Sequence, residues 1–408
     1  MGPERIVAAG AGACIAVAGG AAALRYYLSR NKNGKPKVKV PEDSIVEGLE
    51  TLTPSQCTMF NICYGGELLA MVDKIAGICA IRHSEGSVVT VSMDEIHFRT
   101  PARVSDIIIL TAKVTAAFSS SMEIEVVVYV EHPLTGQRDF CCRALLKFVA
   151  LSEKRRPRPV PALEPETPEE RAAYKAAQQR NRAFKERVKA RVIDVPKMWA
   201  AHLETLTALP PGLVEVPVED TKLSMTKAVM PAHANPLGIA FGGTILQWME
   251  QAAQIAALRL CRSAILTVGL DKMKFVSQVP VGSCVIVRAQ VNRVFRTSME
   301  VGVRVEVVEL KHLPTFGSET DAGEHTNSGY FTFVAVKEGS THPQPIDKDV
   351  KPGTDRDKLR YLQAGERRRG RMNTRQRALS GPAPLPHSSP KTLVPQAAPA
   401  SNLEPHHL

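Results

Sequence analysis

Two stretches of this chain, "NICYGGELLAMVDKIAG" (Asn61 to Gly77) and "HANPLGIAFGGTILQWMEQAA" (His233 to Ala253), set the same pair of glycines before an apolar run carrying one carboxylate. Asp73 and Glu250 stand 177 residues apart. That offset also aligns Gly65 with Gly242, Thr90 with Thr267, Asp94 with Asp271, Phe98 with Phe275, Phe118 with Phe295 and Met122 with Met299, without a gap. "TVSMDEIHF" meets "TVGLDKMKF", and "AFSSSMEIEV" meets "VFRTSMEVGV". So many coincidences at one spacing mark an internal duplication. The chain must therefore build one structural unit twice.

Each copy has the same plan. In the first, Leu68, Leu69, Val72, Ile75 and Ala76 line one face of a helix that starts at the glycines. The runs "SVVTVSMDEIHF", "DIIILTAKVTAAF" and "MEIEVVVYVEH" are rich in β-branched residues and bounded by turn formers, which predicts antiparallel strands. The fold class expected is α+β, with a long helix lying on or wrapped by a curved sheet. At 408 residues and 44% hydrophobic, the chain has the length and apolar content for two such units. The expected division is an N-terminal segment over 1–40, a first unit over 41–155, a linker and charged helix over 156–214, a second unit over 215–340 and a tail over 341–408. "PRPVPALEPETP" is linker, "EERAAYKAAQQRNRAFKERVKARV" is helix-forming, and the polar, proline-rich chain beyond Pro343 is expected to be disordered.

The net charge of +11 lies mostly in the connector and in "ERRRGRMNTRQR". Neither interleaves aromatics with its cations, so a nucleic-acid partner is not expected, and attraction to anionic lipid or a polyanion is the weaker alternative to a solvated surface. The cysteines form no CxxC pair and have no accompanying histidine spacing, so they are read as reduced thiols, and no metal site is expected. Ile6 to Leu24 carries no charge and is flanked by Arg5 on one side and Arg25, Arg30, Lys32, Lys35 and Lys37 on the other. A helix of that length just spans a hydrocarbon core of about 30 Å. The reading is an anchor in the mitochondrial outer membrane or endoplasmic reticulum, with the rest of the chain facing the cytosol. A cleaved mitochondrial presequence, leading to the matrix, and a buried helix in a cytoplasmic protein are the alternatives.

With "HANPLGIAFGGTILQWMEQAA", "TVSMDEIHF" and "SMEVGVRVEV" each duplicated, the chain from about Pro41 to about Lys337 resembles the tandem hotdog acyl-CoA thioesterases of the cytosolic and brown-fat-inducible type. The resemblance implies two hotdog domains paired as a double hotdog. It also implies hydrolysis of acyl-CoA to a free carboxylic acid and CoA without a cofactor, and association as a trimer of double hotdogs. Adenine-nucleotide regulation is known in the type. The basic segment after Asp347 resembles only the lead-in to the lipid-binding START domain that such proteins usually carry, so none is expected here.

Thioester hydrolysis needs an activated water or nucleophile and donors aimed at the oxyanion. A helix N-terminus preceded by glycine supplies unpaired amides and a favourable dipole, so Gly66 and Gly243 are candidate cradles, although a glycine pair also serves simple close packing. Asp73 lies two turns into its helix beside Val72 and Ile75, where a carboxylate is costly without a partner or a task. The resemblance makes Asp73 general base or nucleophile, acting with an asparagine of the other repeat, and Asn235 matches that position. In the duplicate pair, Thr58 stands for Asn235 and Glu250 for Asp73. One productive site and one weakened site are therefore expected, Glu250 being either a second carboxylate or a hydrogen-bonded structural residue. By the same resemblance CoA meets Val91, Ser92 and Met93, Ser120, Ser121 and Met122, Arg180, and Lys274, Phe275 and Val276. Cations there suit phosphates, although the serines alone read as turn residues and Arg180 as a solvated face. His83 and His233 each stand alone near their motifs and are read as bystanders. The alternatives are a membrane-tethered, non-catalytic acyl-CoA or nucleotide-binding protein, and a hotdog hydratase, which usually needs a histidine that neither helix places near its carboxylate.

Overall fold

The computed structural model describes residues 38–186, 195–205, 212–309 and 323–379. The apolar run at 6–24 lies outside them. The described residues up to Gly365 form one compact unit, and those from Glu366 a second. Among the described residues no helix is long and apolar enough to cross a membrane.

The first repeat runs β1 (Val38–Lys39), β2 (Val46–Thr51), α1 (Gly65–Ser84), β3 (Val88–Met93), β4 (Ile96–His97), β5 (Ile107–Ala117), β6 (Ser121–Glu131) and β7 (Arg138–Ala150). It is followed by β8 (Ala162–Leu163), α2 (Pro168–Glu186) and α3 (Val195–Thr205). The second runs β9 (Val214–Pro217), β10 (Leu223–Ala228), α4 (Gly242–Cys261), β11 (Ile265–Leu270), β12 (Met273–Phe275), β13 (Ser283–Phe295), β14 (Ser298–Glu309), β15 (Glu324–Ala335), β16 (Lys348–Lys351) and α5 (Asp355–Leu379). This is the expected α+β plan, made twice.

Alternation decides which way each strand faces. Ile108, Leu110, Ala112 and Val114 of β5, Val126 and Val128 of β6, and Ala144, Leu146 and Phe148 of β7 are buried among less buried neighbours. A period of two puts them on one face, and that face covers α1. Helices α1 and α4 both end on a left-handed residue, Glu85 (φ 59°) and Arg262 (φ 48°), a position where glycine is usual. The residues are 177 apart, so even this detail is duplicated.

The two sheets are one. Strand order is β10-β13-β14-β15-β12-β3-β7-β6-β5-β2, and the halves join where Met273 and Lys274 of β12 pair antiparallel with Met93 and Ser92 of β3. The reciprocal join pairs Leu270 and Gly269 of β11 with Ile96 and His97 of β4. Subtracting 177 turns one join into the other, which gives the repeats a pseudo-two-fold relationship. Helices α1 and α4 cross on that axis at their glycines. A Cβ on Gly243 would come within 2.7 Å of the Ala70 Cα, and one on Gly66 within 3.0 Å of the Gln247 Cα.

The expected disordered tail over 341–408 is corrected by β16 and α5 as far as residue 379, and its remainder lies outside the described residues. The parallel pair β1–β8 in the first repeat is matched by β9–β16 in the second. Helix α2 lies on the outer face of the first sheet, with Ala177 fully buried and Glu170 bonded to Lys113 at 2.5 Å. In α5, Ala364 is fully buried and Asp357 accepts from Gln290 at 3.1 Å. Both helices open on reciprocal caps, Thr167 with Glu170 and Thr354 with Asp357. The duplication thus extends through a covering helix. Its register has slipped from 177 to 185 at β7 and β15 and to 187 at the helices, so a gap-free comparison ends too early.

Candidate active site

The first backbone amides of a helix have no intrahelical partner, and neither α1 nor α4 is capped by its own side chains. Each is capped by the other repeat. Gly65 N and Gly66 N donate to Glu250 Oε1 and Oε2, both at 2.8 Å. Gly243 N donates to Asp73 Oδ2, also at 2.8 Å. The two buried carboxylates therefore sit at opposite ends of the helix crossing, Asp73 4% and Glu250 1% exposed.

The two caps differ in completeness. Glu250 Oε1 also accepts from Thr267 Oγ1 at 2.5 Å, so its carboxylate holds three donors. Asp73, one methylene shorter, has two: Gly243 N on Oδ2 and Thr90 Oγ1 on Oδ1 at 2.8 Å. The Gly242 amide has no partner among the described residues. Burial pushes both carboxyl groups above their ordinary range. At Asp73 the Gly243 amide and the Thr90 hydroxyl pull the other way. At Glu250 Thr267 and the Gly66 and Gly65 amides do so, while nearby Glu67 adds to the upward push. Thr90 and Thr267 were visible in the sequence only as an aligned pair. Their polarity at strand positions facing the helix was the available signal.

The loops before the helices are also paired. Asn235 Oδ1 accepts from Leu237 N at 2.9 Å and Ile239 N at 3.4 Å, which commits its oxygen to the turn and leaves the amide nitrogen as its donor. Thr58 Oγ1 accepts from Phe60 N at 3.2 Å in the equivalent turn. Asn235 leads through Phe241 into Gly242 and so belongs to the Asp73 end. Thr58 leads into Gly65 and belongs to the Glu250 end. A cavity of 260 Å³ opens at that second end, bounded by Thr58, Tyr64, Gly65, Gln254 and Thr267. The nearby glycine amides are already occupied by Glu250.

Phe275 stands over the Asp73 end. A Cβ on Gly242 would lie 3.0 Å from its ring and 3.1 Å from Asp73 Oδ2. On the opposite face of the sheet, Lys274, Ser92, Lys147 and Glu123 form a cross-strand row through β12, β3, β7 and β6. Arg180 of α2 crosses this row with two hydrogen bonds to Glu123, at 2.6 and 3.0 Å, and Lys147 bonds Asn181 at 2.6 Å. Ser92, Lys147, Arg180 and Lys272 border a narrow cleft here. The structure thus brings Ser92, Lys274 and Arg180 together and adds Lys147 and Lys272, which the sequence reading did not single out. Val91 is half-buried on β3 and Val276 is exposed just past β12. Met93 and Met122 are fully buried, so a ligand reaches them only through backbone. Ser120 and Ser121 lie at the β5–β6 turn, their carbonyls accepting from Ala150 N and Phe118 N.

The histidines lie apart from both carboxylates. His83 bonds Ser44 and the Pro161 carbonyl, and burial pushes its pKa down. His233 accepts from Met230 N and packs edge-on against Trp248. Cys57, Cys63, Cys79, Cys141, Cys142 and Cys284 are buried free thiols. Among the described residues no group of three or more His, Cys, Asp or Glu side chains is placed to hold a metal. A groove of 970 Å³ lies under α5, away from the helix crossing, and its arginines 288 and 304 pair with Glu306.

Comparison with known proteins gives the architecture its family. The model of the Thioesterase superfamily matches twice, over residues 60–137 and 237–311, one match in each repeat. Acetyl-coenzyme A thioesterase of Mus musculus is 34% identical over 331 residues, covering 79% of this chain and 56% of that protein. The uncharacterized acyl-CoA thioester hydrolase YkhA of Bacillus subtilis is 34% identical over 169 residues, 40% of this chain and 98% of its own length. An apo-hexameric acyl-CoA thioesterase of known structure aligns with 99% of its chain and 38% of this one, at 34% identity and a TM-score of 0.37. The chain spans about half the length of the curated mammalian relatives it matches. With the family model met in both repeats and a bacterial relative covered almost end to end, the chain belongs to the thioesterase superfamily and carries its hotdog domain twice.

Proposed function

We propose that this chain hydrolyses acyl-CoA thioesters at the Asp73 end of the helix crossing. The observation that carries this is the Asp73 carboxylate, buried and bonded at 2.8 Å to the Gly243 amide, with the Gly242 amide unpartnered beside it among the described residues. A base and oxyanion donors are thus supplied within one site by different repeats. The relatives' names, acetyl-CoA thioesterase and acyl-CoA thioester hydrolase, fit that reading.

The thioester carbonyl oxygen takes the Gly242 and Gly243 amides at the positive end of α4. In doing so it displaces Asp73 Oδ2 from Gly243 N. That loss removes a hydrogen bond which had stabilised the charged carboxylate, so Asp73 becomes a stronger base as substrate arrives. It draws a proton from water, the water oxygen bonds to the carbonyl carbon, and the tetrahedral oxyanion rests on the amides. Collapse breaks the C–S bond, the proton held by Asp73 passes to the departing sulfur, and CoA thiol and the free acid leave with the carboxylate restored. Thr90 holds Oδ1 throughout, and the Asn235 amide is the donor left to orient water or carbonyl. On the outer face, Lys274 and Lys147 of the row that ends at Glu123, with Arg180 paired to that glutamate, offer cations that suit the phosphates of CoA.

At the Glu250 end the same groups are committed to one another. A carboxylate with three donors and glycine amides with no vacancy favour a structural cap, and the cavity there offers space without free oxyanion donors. The family resemblance supports assembly as a trimer of double hotdogs, and the uncharged run at 6–24 supports a membrane anchor. Removing residues 1–30 releases the protein from membranes if that anchor holds, and unchanged association rejects it. The enzymatic reading is tested by thiol release from acyl-CoAs of C2 to C18. Release that vanishes in Asp73→Ala supports it, whereas no release from any chain length overturns it.

A further inference from the structure

Cys57 and Cys63 form an antiparallel bridge that closes the turn ahead of α1. The backbone bonds on either side of it run from Thr58 N to Ile62 O at 2.8 Å and from Tyr64 N to Gln56 O at 3.0 Å. The two cysteines therefore exchange no backbone bond with each other. In an antiparallel pair of that kind the α-carbons stand about 4.5 Å apart and the side chains share one face. A disulfide spans about 4.4–6.8 Å between α-carbons, so the pair has room for one without moving the backbone. The two thiols are already in hydrogen-bond contact, and Cys63 Sγ also donates to the Tyr64 carbonyl at 3.4 Å. The second repeat builds the same turn with different side chains. Ala234 and Ala240, each 177 residues on, form the matching bridge, flanked by Asn235 N on Ile239 O at 2.8 Å and Phe241 N on His233 O at 3.0 Å. Alanine satisfies the turn at both places, so its geometry does not call for sulfur. One repeat carries both cysteines and the other neither.

The pair is also within reach of a small reagent. Cys57 and Cys63 are each 8% exposed, whereas Cys79, Cys141 and Cys142 are 0% exposed, and Cys63 borders the open cavity at the Glu250 end. We propose that Cys57 and Cys63 are a modification site, a dithiol that a low-molecular-weight disulfide of the glutathione class converts into an intrachain disulfide. The Cys57 thiolate attacks one sulfur of the reagent, whose S–S bond breaks to release one thiol. Cys63 then attacks the Cys57 sulfur of the mixed disulfide and expels the second. Two protein thiols are oxidised, the reagent is reduced to two thiols, and the protons of both cysteines end on the departing sulfurs. Burial holds both thiols in the protonated form, helped at Cys57 by Asp106 and Glu67 and at Cys63 by Cys57, Glu67, Glu250 and Cys141. Exchange is therefore slow at neutral pH and quickens as pH rises. The bridge, once formed, ties Cys57 to the segment that leads into Gly65 and Gly66, whose amides hold Glu250. It pins the Glu250 end of the crossing and restricts the unfolded chain, while the Asp73 end keeps its alanine turn. None of this rests on the hydrolase reading.

The test treats the full chain with excess oxidised glutathione at about pH 8, where thiolate is more abundant than at neutrality. Remaining thiols are blocked with iodoacetamide in denaturant, and the peptide carrying Cys57 and Cys63 is weighed. The expected peptide has lost two hydrogens and taken up no iodoacetamide, and dithiothreitol reverses the change. The oxidised protein is expected to melt about 2 °C or more higher than the reduced one. Cys57→Ala and Cys63→Ala each install the side chain that the second repeat carries at that place, so the turn still forms, and each abolishes the rise. Both thiols staying open to iodoacetamide, under conditions that oxidise the unfolded chain, overturns the proposal. Glutathione remaining on one cysteine of the unsubstituted protein overturns it too, since the second thiol has then failed to reach the first. A bridge that leaves Tm unchanged or lowers it, or a rise that persists in either alanine variant, rejects the pinning of the Glu250 end.

Discussion

The Asp73 carboxylate and the Gly243 amide, 170 residues apart in the chain, meet at 2.8 Å where two helices from different repeats cross. Its counterpart, Glu250 with Gly65 and Gly66, repeats the contact with one more donor from the facing helix. The two carboxylates differ by one methylene, and the shorter holds two donors where the longer holds three.

Substitution of the two acids should therefore have unequal effects. Asp73→Asn is expected to lower kcat/KM for acyl-CoA by about 100- to 10,000-fold, the usual worth of a positioned base. Glu250→Gln keeps a side chain able to cap α1 and should stay within about threefold, since groups remote from the chemistry contribute little to it. Thiol-release kinetics on both variants decide the matter, and the reverse ranking would move the reaction to the Glu250 end.

The acid limb of the pH profile follows from Thr90. Its hydroxyl on Asp73 Oδ1 opposes the upward push of burial. Thr90→Val removes that opposition and keeps the shape, so the carboxyl titrates at higher pH. The base form is then lost earlier on acidification, and the acid limb of kcat/KM moves up. A limb that stays put or moves down argues against Asp73 as the titrating base.

Stability should move the other way. Asp73 has a native pKa raised above its unfolded value of about 3.8. Between those two values the native state binds more protons than the unfolded one, so stability falls as pH rises through the interval. At neutral pH the buried charge is a net cost, and Asp73→Asn removes it while an amide oxygen still accepts from Gly243 N. The variant is expected to melt a few degrees higher at pH 7, with the gap closing on acidification towards the ordinary carboxyl range. Scanning calorimetry at several pH values measures this, and a lower Tm at pH 7 contradicts it.

Gly243→Ala tests the crossing itself. The added Cβ would meet the Ala70 Cα at 2.7 Å, and because that atom is backbone no rotamer relieves the clash. Overpacking of this kind costs about 1–3 kcal/mol. The helices must separate, which also draws the amide away from Asp73. Loss of stability and loss of activity should appear together. An active variant of unchanged Tm would show that the close approach matters to neither.

The duplication, the glycine-led helices and the strands were legible because β-branched runs and helical spacing are local and a gap-free offset preserves them. Asp73 and Glu250 stood out for a related reason, since a carboxylate among Val72, Ile75 and Ala76 has a cost that can be read without coordinates. The unequal donor sets were less accessible. Thr90 reaches Asp73 only after the strand folds back over the helix, and the vacancy of the Gly242 amide shows only once the two helices have met. The covering helix α5 reads as tail in the sequence. Its arginine-rich surface hides a buried stripe of Tyr361 and Ala364, which only alignment with Tyr174 and Ala177 at the slipped register discloses.

The pseudo-two-fold join has a consequence for how such a site can evolve. In a symmetric pair of identical chains every substitution appears at both ends of the helix crossing, so a carboxylate made longer to lock one helix terminus would lock the other and silence both. Fusing the copies into one polypeptide lifts that constraint. Here one end has kept an asparagine, a short acid and an open amide, while the other has become a rivet of Glu250, Thr267 and two glycine amides that holds the pair together.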